Sequence, residues 1–367
     1  MVISRYVYNF KNIILSYIII RIYDIIKLTY SIMLLHPSYE IKVGSSIVKS
    51  GLSDTAISIL VDMTVDSYAG STETVLRIKE DNKIQVKKNS PIKVSIGYEN
   101  KLVPVFSGKI DTLSINLSQI SIISLNSIFS LCNFRTDRFY ENQTAGDIVK
   151  DLAKDANVKV DDISNGFTFP YYAVDSNKNT FEHIKDLAFL CGFDIYCTPE
   201  DKLVFKKYEP STKHKLVYGQ NIIKLKKLDP SNIYNSLSIL GESPSSIKGS
   251  DTSHWLTKKQ VKGFAESELK DDNGGGGGAT KELHFSKRFV KDEDTAKKIA
   301  EGSLKKLNSY LLLQIEIVGN PSIFLGDAII IEKVPIIELN GEYRIKTIEH
   351  FISKYTGYVT TLKCQGV

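Results

Sequence analysis

With 367 residues, the chain is long enough for two or three domains that each bury a core. Its composition of 42% hydrophobic, 24% charged and 10% aromatic residues excludes an intrinsically disordered chain. The formal net charge of +5 is too small to indicate a nucleic-acid-binding protein by itself. The four cysteines lack CxxC spacing, which favours reduced structural thiols and a cytoplasmic place of assembly over a secreted disulfide scaffold.

Residues 1–35 form a hydrophobic N-terminal extension, and the stretch 13–35 has the length of a membrane span. Three charged residues lie near its middle: Arg21, Asp24 and Lys27. Three charges are too costly for a simple span, and on a helix they share one face, which predicts an amphipathic helix. Three alternatives remain open for residues 1–32. The first is an upstream extension with a mis-assigned start, since Met33 would be a natural start. The second is an interfacial helix in contact with a membrane, and the third is a helix packed on the protein.

The segment 36–130 alternates apolar and polar residues, which predicts short antiparallel strands. The runs 92–96 and 103–110 show this pattern, and Gly and Asn residues separate the strands. Short strands at this spacing indicate a barrel or a sandwich, so we expect a first barrel-like β-domain. Gly108 lies inside the run 103–110, where it is equally well a bulge or a turn residue.

The apolar period changes to that of helices in the segment 131–208. Thr144, followed three residues later by Asp147, is a capping-box variant that predicts the start of one helix. A second helix is expected from about residue 180, and Gly192 suits its C-terminal cap. Strands follow this helix, so the segment predicts a small α/β module inserted between β-rich parts.

The segment 209–318 predicts a second β-domain, with a flexible insertion at 242–281 and a helix at 292–308. The insertion contains five consecutive glycines, 274–278, and such a run is costly to hold in one conformation. Trp255, the only tryptophan, also lies in the insertion. It is either a docking anchor for a partner or a loop residue packed on its own domain.

The last segment, 319–367, predicts a closing β-unit of a second barrel. Four turn signals divide it into four short antiparallel strands. Gly326 and Asp327 suit a turn, and Asn340 with Gly341 suits a two-residue hairpin. The chain is therefore expected to be a mainly β protein of the α+β class. It would have two barrel-like antiparallel β-domains, an inserted small α/β module and a C-terminal β-unit.

Several short motifs occur in a particular order along the chain. Before the last segment they are an apolar-Phe-x-Gly-x-Ile step, an Asn-x-Thr-x-x-Asp-Ile helix start and a Phe-x-x-x-x-x-Leu-Ala helix leading into Gly-Phe-x-Ile-Tyr. In the last segment they are Gly-Asn-Pro, Leu-Gly-Asp, Asn-Gly-Glu-Tyr-Arg, Glu-His and Gly-Tyr-Val-Thr-Thr. This order resembles the phage late control protein D family of baseplate hubs and is similar to the hub portion of type VI spike proteins. The residues that carry the resemblance are Gly108, Thr144, Asp147, Gly192, Gly319, Pro321, Gly326, Asp327, Gly341, Tyr343, His350 and Gly357.

No constellation of catalytic or metal-ligating residues stands out, so we expect no enzyme, no cofactor and no metal site. The histidines are scattered without HExxH spacing; His183 is expected on the exposed side of its helix, and His350 is expected to bond to the backbone. Residues 274–279 satisfy GxGxxA but lack the preceding strand that a nucleotide-binding turn needs. Three lysines in an expected strand form either a solvated face or, as the weaker alternative, a nucleic-acid-binding stripe: Lys224, Lys226 and Lys227.

The resemblance implies a non-enzymatic baseplate hub: a homotrimeric ring, with two barrel-like domains per chain, between a hexameric tail tube and a trimeric spike. Its partners would be the tube protein or its initiator, the spike and the baseplate wedge proteins, with no specific nucleic acid. The hub would be assembled in the cytoplasm and belong to a phage tail or an extracellular injection particle. Because the chain contains no needle-forming repeats, we expect the spike to be a separate protein. The alternative is a β-rich surface or membrane-binding adhesin that uses residues 1–32 and Trp255.

Overall fold

The computed structural model describes residues 36–51, 55–78, 86–99, 101–228, 234–241, 261–267, 281–287, 289–290, 292–308 and 312–366. The expectations about residues 1–35, Trp255 and the glycines 274–278 lie outside these described residues. Strands outnumber helices throughout the described chain, so the prediction of a mainly β fold is confirmed.

The first half of the described chain is built from antiparallel strands. They are β1 (Pro37–Val43), β2 (Ser46–Lys49), β3 (Ala56–Thr64), β4 (Ser71–Arg77), β5 (Pro91–Tyr98), β6 (Lys101–Ile115) and β7 (Gln119–Leu125). Successive side chains of a strand point to opposite faces of a sheet. In β3, accordingly, Ile59, Val61 and Met63 are buried, while the residues between them are partly exposed.

An α/β module follows these strands. Its elements are α1 (Ile128–Asn133), β8 (Arg138–Thr144), α2 (Ala145–Asp155), β9 (Val160–Ile163), β10 (Thr168–Val174), α3 (Thr180–Cys191), β11 (Asp194–Cys197) and β12 (Leu203–Lys206). Strands β8 and β10 form an antiparallel ribbon, whereas β9, β12 and β11 form a small mixed sheet. His183 of α3, expected on the exposed side, is buried, because Tyr172 of β10 packs edge-on against its ring.

The second half combines a small sheet, a helix and the last strands of the chain. Its elements are β13 (Lys213–Val217), β14 (Ile222–Lys227), β15 (Ser236–Gly241), β16 (Lys262–Glu266), β17 (Glu282–Lys287), α4 (Glu293–Leu307), β18 (Leu313–Val318), β19 (Ala328–Glu332), β20 (Gly341–Ser353) and β21 (Gly357–Gly366). The sheet of β15, β16 and β17 packs on α4, where Gly263 lies so close to the backbone of Ala296 that any side chain would collide. Strand β16 thus forms inside the insertion that was expected to be flexible.

One sheet of 13 strands joins the two halves of the described chain. Its main path runs β14-β18-β21-β20-β3-β4-β7-β6-β5-β1-β2, and β13 joins it through β19, which pairs with β20. Residues 347–353 of β20 pair with β3 on one side, while β20 pairs with β21 on the other. The register shifts at Lys346, so that this residue forms a bulge. The two expected barrels remain a prediction, since the pairing itself is continuous across both halves.

The closing unit differs from its expected form in two ways. It contains three strands, β19, β20 and β21, rather than four. Asn340 and Gly341 do not make a two-residue hairpin, because residues 333–340 form a wider loop with a 3-10 turn at Ile337–Leu339. The Asn340 side chain holds this loop by accepting a hydrogen bond from the Val334 amide and donating one to the Val334 carbonyl, each 2.9 Å long.

Candidate functional site

A cluster of aromatic and hydroxyl side chains lies where the two halves of the chain meet. The Tyr98 hydroxyl, at the end of β5, donates a hydrogen bond of 2.9 Å to the carbonyl oxygen of Gly319. The Tyr98 ring also packs against the ring of Tyr358, with 5.6 Å between the ring centroids. We call Tyr98, Gly319, His350, Tyr358 and Thr360 the aromatic joint. It connects β5 in the first half with β18, β20 and β21 in the second.

The aromatic joint is closely packed and electrically neutral. A Cβ at position 319 would collide with the Tyr358 ring, so only glycine fits beneath it. The Nδ1 atom of His350 lies 2.9 Å from the Tyr358 hydroxyl and 3.1 Å from Thr360 Oγ1. The expectation of a backbone partner for His350 is therefore corrected to two side-chain partners. Burial lowers the pKa of His350 to about 3, so the imidazole is uncharged at neutral pH.

Gly326 and Asp327 lie together in the turn before β19. Gly326 has a φ of +92°, which favours glycine, and a Cβ there would lie 2.6 Å from the Tyr196 hydroxyl. Asp327 is buried, and its Oδ2 accepts a hydrogen bond of 3.0 Å from the Phe324 amide. The same oxygen lies 2.9 Å from His214 Nε2. The turn therefore contacts β11 of the α/β module and β13 of the second half.

The other residues singled out from the sequence are dispersed and form no single site. Thr144 is the N-cap of α2, and its hydroxyl accepts a hydrogen bond of 3.1 Å from the Asp147 amide. Gly192 ends α3 in the left-handed conformation and lies against Gly302 of α4. The remainder lie in strands, in strand ends or in the turn after β18: Gly108, Pro321, Gly341, Tyr343 and Gly357.

Five charged side chains meet at a place that the sequence does not indicate, between the large sheet, α4 and the α/β module. We call Asp66, Asp194, Lys306, Arg344 and Lys346 the charged junction. Lys306 Nζ lies 2.7 Å from Asp66 Oδ2 and 2.8 Å from Asp194 Oδ1. Lys346 Nζ lies 3.1 Å from Asp66 Oδ2, and Arg344 pairs with the other oxygen of Asp194. Asp66 thus pairs with two cations and Asp194 with three, because Lys346 Nζ also lies 3.5 Å from Asp194 Oδ1.

The charged junction is largely removed from water, with the side chains of Asp194 and Arg344 only 6% and 8% exposed. Burial lowers the pKa of Lys346 to about 8 and that of Arg344 to about 10, and it also lowers the pKa of Lys306. Burial alone would raise the pKa of Asp66, but Lys306 and Lys346 hold it below its ordinary value. Because three cations share two carboxylates, removing one carboxylate leaves buried positive charge without a partner.

Backbone hydrogen bonds fix the same place. The Asp66 amide donates to the Ile195 carbonyl at 2.8 Å, and the Ile195 amide donates to Asp66 Oδ1 at 3.1 Å. The Val65 amide donates to the Lys346 carbonyl at 2.9 Å. The segment after β3 is thereby bonded both to β11 and to the bulge of β20, which orients the module relative to the large sheet.

No metal-binding cluster and no disulfide accompanies these residues in the described part of the chain. Within the described part of the chain, no group of three or more His, Cys, Asp or Glu residues is arranged to hold a metal ion. No helix in the same part is long and apolar enough to cross a membrane. Cys132, Cys191, Cys197 and Cys364 are free thiols, and burial raises the pKa of Cys132 to about 11.

Solved structures resemble this architecture although no family model and no curated sequence matches the chain. The 43 kDa tail protein of prophage MuSo2 from Shewanella oneidensis matches with a TM-score of 0.65 at 15% identity, over 90% of this chain and 98% of its own. The chain has a phage tail-protein fold. The same tail-protein fold occurs in the E. coli type VI secretion component c3393, with a TM-score of 0.56 at 9% identity over 89% of this chain and 76% of that one.

A third structure extends the tail-protein fold to a larger assembly. A chain of the Francisella PdpA-VgrG complex matches with a TM-score of 0.52 at 11% identity, over 90% of this chain and 57% of that chain. The E. coli component is itself described as structurally similar to the T4 tail proteins gp27 and gp5. The resemblance indicated by the order of the sequence motifs is thus confirmed at the level of the fold.

Proposed function

We propose that this protein is a structural baseplate hub of a contractile phage tail or of a phage-tail-like injection system. The observation that carries the proposal is the shared fold over 98% of a prophage tail protein. The match to a type VI secretion component supports the wider class of injection machines. The proposed role is to position other proteins within the particle, without catalysis.

The hub would be a ring of three chains between the tail tube and a separate spike. A closed ring needs a heterologous interface, in which one surface of a chain meets a different surface of the next copy. Exposed apolar side chains occur on both halves and are available for such contacts, Ile115 and Leu117 on the first and Ile336 and Ile337 on the second. Further proposed partners are the tube protein or its initiator and the baseplate wedge proteins.

The two joints support this role because a hub must keep its surfaces in one relative orientation. The aromatic joint connects β5 with the last strands, and the charged junction connects the module and α4 with the large sheet. Both are assembled from residues of different halves, so they oppose bending between them. We infer that the chain acts as a single rigid adaptor within the ring.

The mass in solution tests the proposal. Light scattering after size exclusion would compare the full chain and a chain beginning at Met33, each with and without the candidate spike protein encoded nearby. We expect a trimer, or a monomer that forms a three-plus-three complex when the spike is added. A uniform monomer whose mass does not change when the spike protein is added would contradict the proposed hub function. It would favour the adhesin alternative, which depends on residues 1–32 and Trp255.

A further inference from the structure

A cleft of about 860 Å³ separates the first part of the large sheet from the α/β module. One wall is the face of β1, β5 and β6, and the other consists of α1 and the segments before β9 and β12. We call it the lysine cleft because four lysines line it: Lys42, Lys93 and Lys109 on the sheet wall and Lys159 on the module wall. All four are exposed.

On the sheet wall of the lysine cleft, two lysines of neighbouring strands lie side by side. Lys42 and Lys93 are directly opposite one another in the register of β1 and β5. Like charges in this position destabilise a sheet, and a nearby anion would relieve that repulsion. Glu40 lies 2.9 Å from Lys42. Among the described residues, however, Lys93, Lys109 and Lys159 form no ion pair of their own.

The carboxylates within the lysine cleft offset the charge of its lysines only in part. Asp111 lies 3.7 Å from Lys88. Asp201 accepts a hydrogen bond of 2.6 Å from the Ser127 backbone amide at the base of α1, and it also interacts electrostatically with Lys109 and Lys159. Glu200, the third carboxylate, belongs to the module wall, next to Asp201. The sheet wall therefore keeps a positive surplus that faces solvent across the cleft.

We propose that the lysine cleft binds an acidic, extended polypeptide segment of a partner protein. Its lysines supply counter-charges on both walls, and three exposed asparagines and three partly exposed serines along it can bond to a peptide backbone. Phe129, 38% exposed, offers the segment one apolar contact. Single-stranded nucleic acid is the poorer fit, because its binding sites stack successive bases on several rings and the described lining exposes one.

Fluorescence anisotropy of a fluorescein-labelled decaglutamate peptide, titrated with the full chain, tests this site. We expect the peptide to bind at low salt and to weaken as salt screens the lysines. The double variant Lys93→Gln/Lys109→Gln should weaken binding by about tenfold or more. The matched control Lys224→Gln/Lys226→Gln removes the same charge from exposed lysines of β14 and should change binding by less than about twofold.

Other results would overturn the assignment. Equal losses in the two double variants would mean that the peptide responds only to net charge. Tighter binding of an oligothymidylate of the same length, lost with the same lysines, would assign the cleft to nucleic acid instead. Failure of the unsubstituted chain to bind the peptide at low salt would also exclude the site. Lys93→Gln removes a like-charge pair, so its melting temperature should be equal or slightly higher, which separates lost binding from unfolding.

Discussion

The aromatic joint and the charged junction connect the same two halves by different physics. In the aromatic joint, Tyr98 and Tyr358 pack closely around Gly319, and all groups are neutral at pH 7. In the charged junction, three buried cations share the carboxylates of Asp66 and Asp194. The first joint depends on shape, whereas the second depends on the balance of charge.

This difference determines which changes destabilise the aromatic joint and which destabilise the charged junction. A close-packed neutral joint is insensitive to pH above the ordinary pKa of histidine but does not tolerate extra volume. A buried charge network loses several kcal/mol when one partner is removed, since the other charges stay buried. The following substitutions test that contrast, from the largest expected effect to the smallest.

Asp194→Ala is expected to be the most destabilising of these changes. It leaves Arg344 without its carboxylate and leaves Lys306 with only Asp66, at a cost of about 3–5 kcal/mol in the free energy of unfolding. Urea unfolding followed by circular dichroism measures this loss.

The control for that substitution is Asp162→Ala. Asp162 pairs with Lys206 at 2.8 Å, but its side chain is 54% exposed, so the loss should be below about 1 kcal/mol. If Asp194→Ala cost no more than this exposed pair, the charged junction would not be an interdependent network, and the contrast between the joints would fail.

Gly319→Ala tests the shape of the aromatic joint. The added methyl group would collide with the Tyr358 ring, and overpacking of this kind costs about 1–3 kcal/mol. Gly51→Ala is the matched control, because no atom of the described residues, apart from its chain neighbours, lies within 4 Å of a Cβ at that position. Thermal unfolding of both variants checks the prediction. Equal melting temperatures would show that the joint can rearrange around a side chain.

The free energy of unfolding should depend on pH in two separate ranges, an acid range for the aromatic joint and an alkaline range for the charged junction. The pKa of His350 is about 3 in the folded state and 6.5 when unperturbed, so the unfolded chain binds more protons between these values. Stability is therefore lost as the pH falls below 6.5, by at most about 1.4 kcal/mol per pH unit. The pKa of Lys346 falls from 10.5 to about 8, so its contribution to stability increases between pH 8 and 10.5.

Two variants test whether His350 and Lys346 cause the pH dependence in these two ranges. His350→Gln should flatten the stability profile on the acid side only, and Lys346→Met on the alkaline side only, when urea unfolding is repeated across the pH range. An acid slope that His350→Gln leaves unchanged would mean that another group with a lowered folded-state pKa controls that window. Glu349 is not that group, because burial raises its pKa and its contribution to stability therefore grows as the pH falls.

The features predicted best from the sequence are the caps and turns that depend on contacts between residues close together in the chain. The cap of α2 by Thr144 and the end of α3 at Gly192 follow from hydrogen bonds and a left-handed φ within a few residues, so their motifs are visible. The turn at Gly326 and Asp327 is local in the same sense. Asn340 with Gly341 shows the limit, because the Asn340 side chain bonds across a longer loop instead of closing a hairpin.

The periodicity of a segment does not show whether a residue is covered by an element that lies far away in the chain. His183 lies on the polar side of α3 by its period, yet β10 covers it. Strand β16 forms next to a glycine-rich run because β15 and α4 provide a surface for it. In both cases the partner lies elsewhere in the chain, so periodicity alone assigns the wrong environment.

By itself, the sequence determined the mainly β composition, the helices α2 and α3 with one cap for each, and an order of motifs that led to the correct fold. Only the tertiary structure decided that β20 joins both halves in one sheet and that the charged junction exists. The partners Asp66 and Lys306 are 240 residues apart, and Asp194 and Arg344 are 150 apart. No propensity or period connects such positions, because their attraction depends on a buried, low-dielectric site that the folded chain creates.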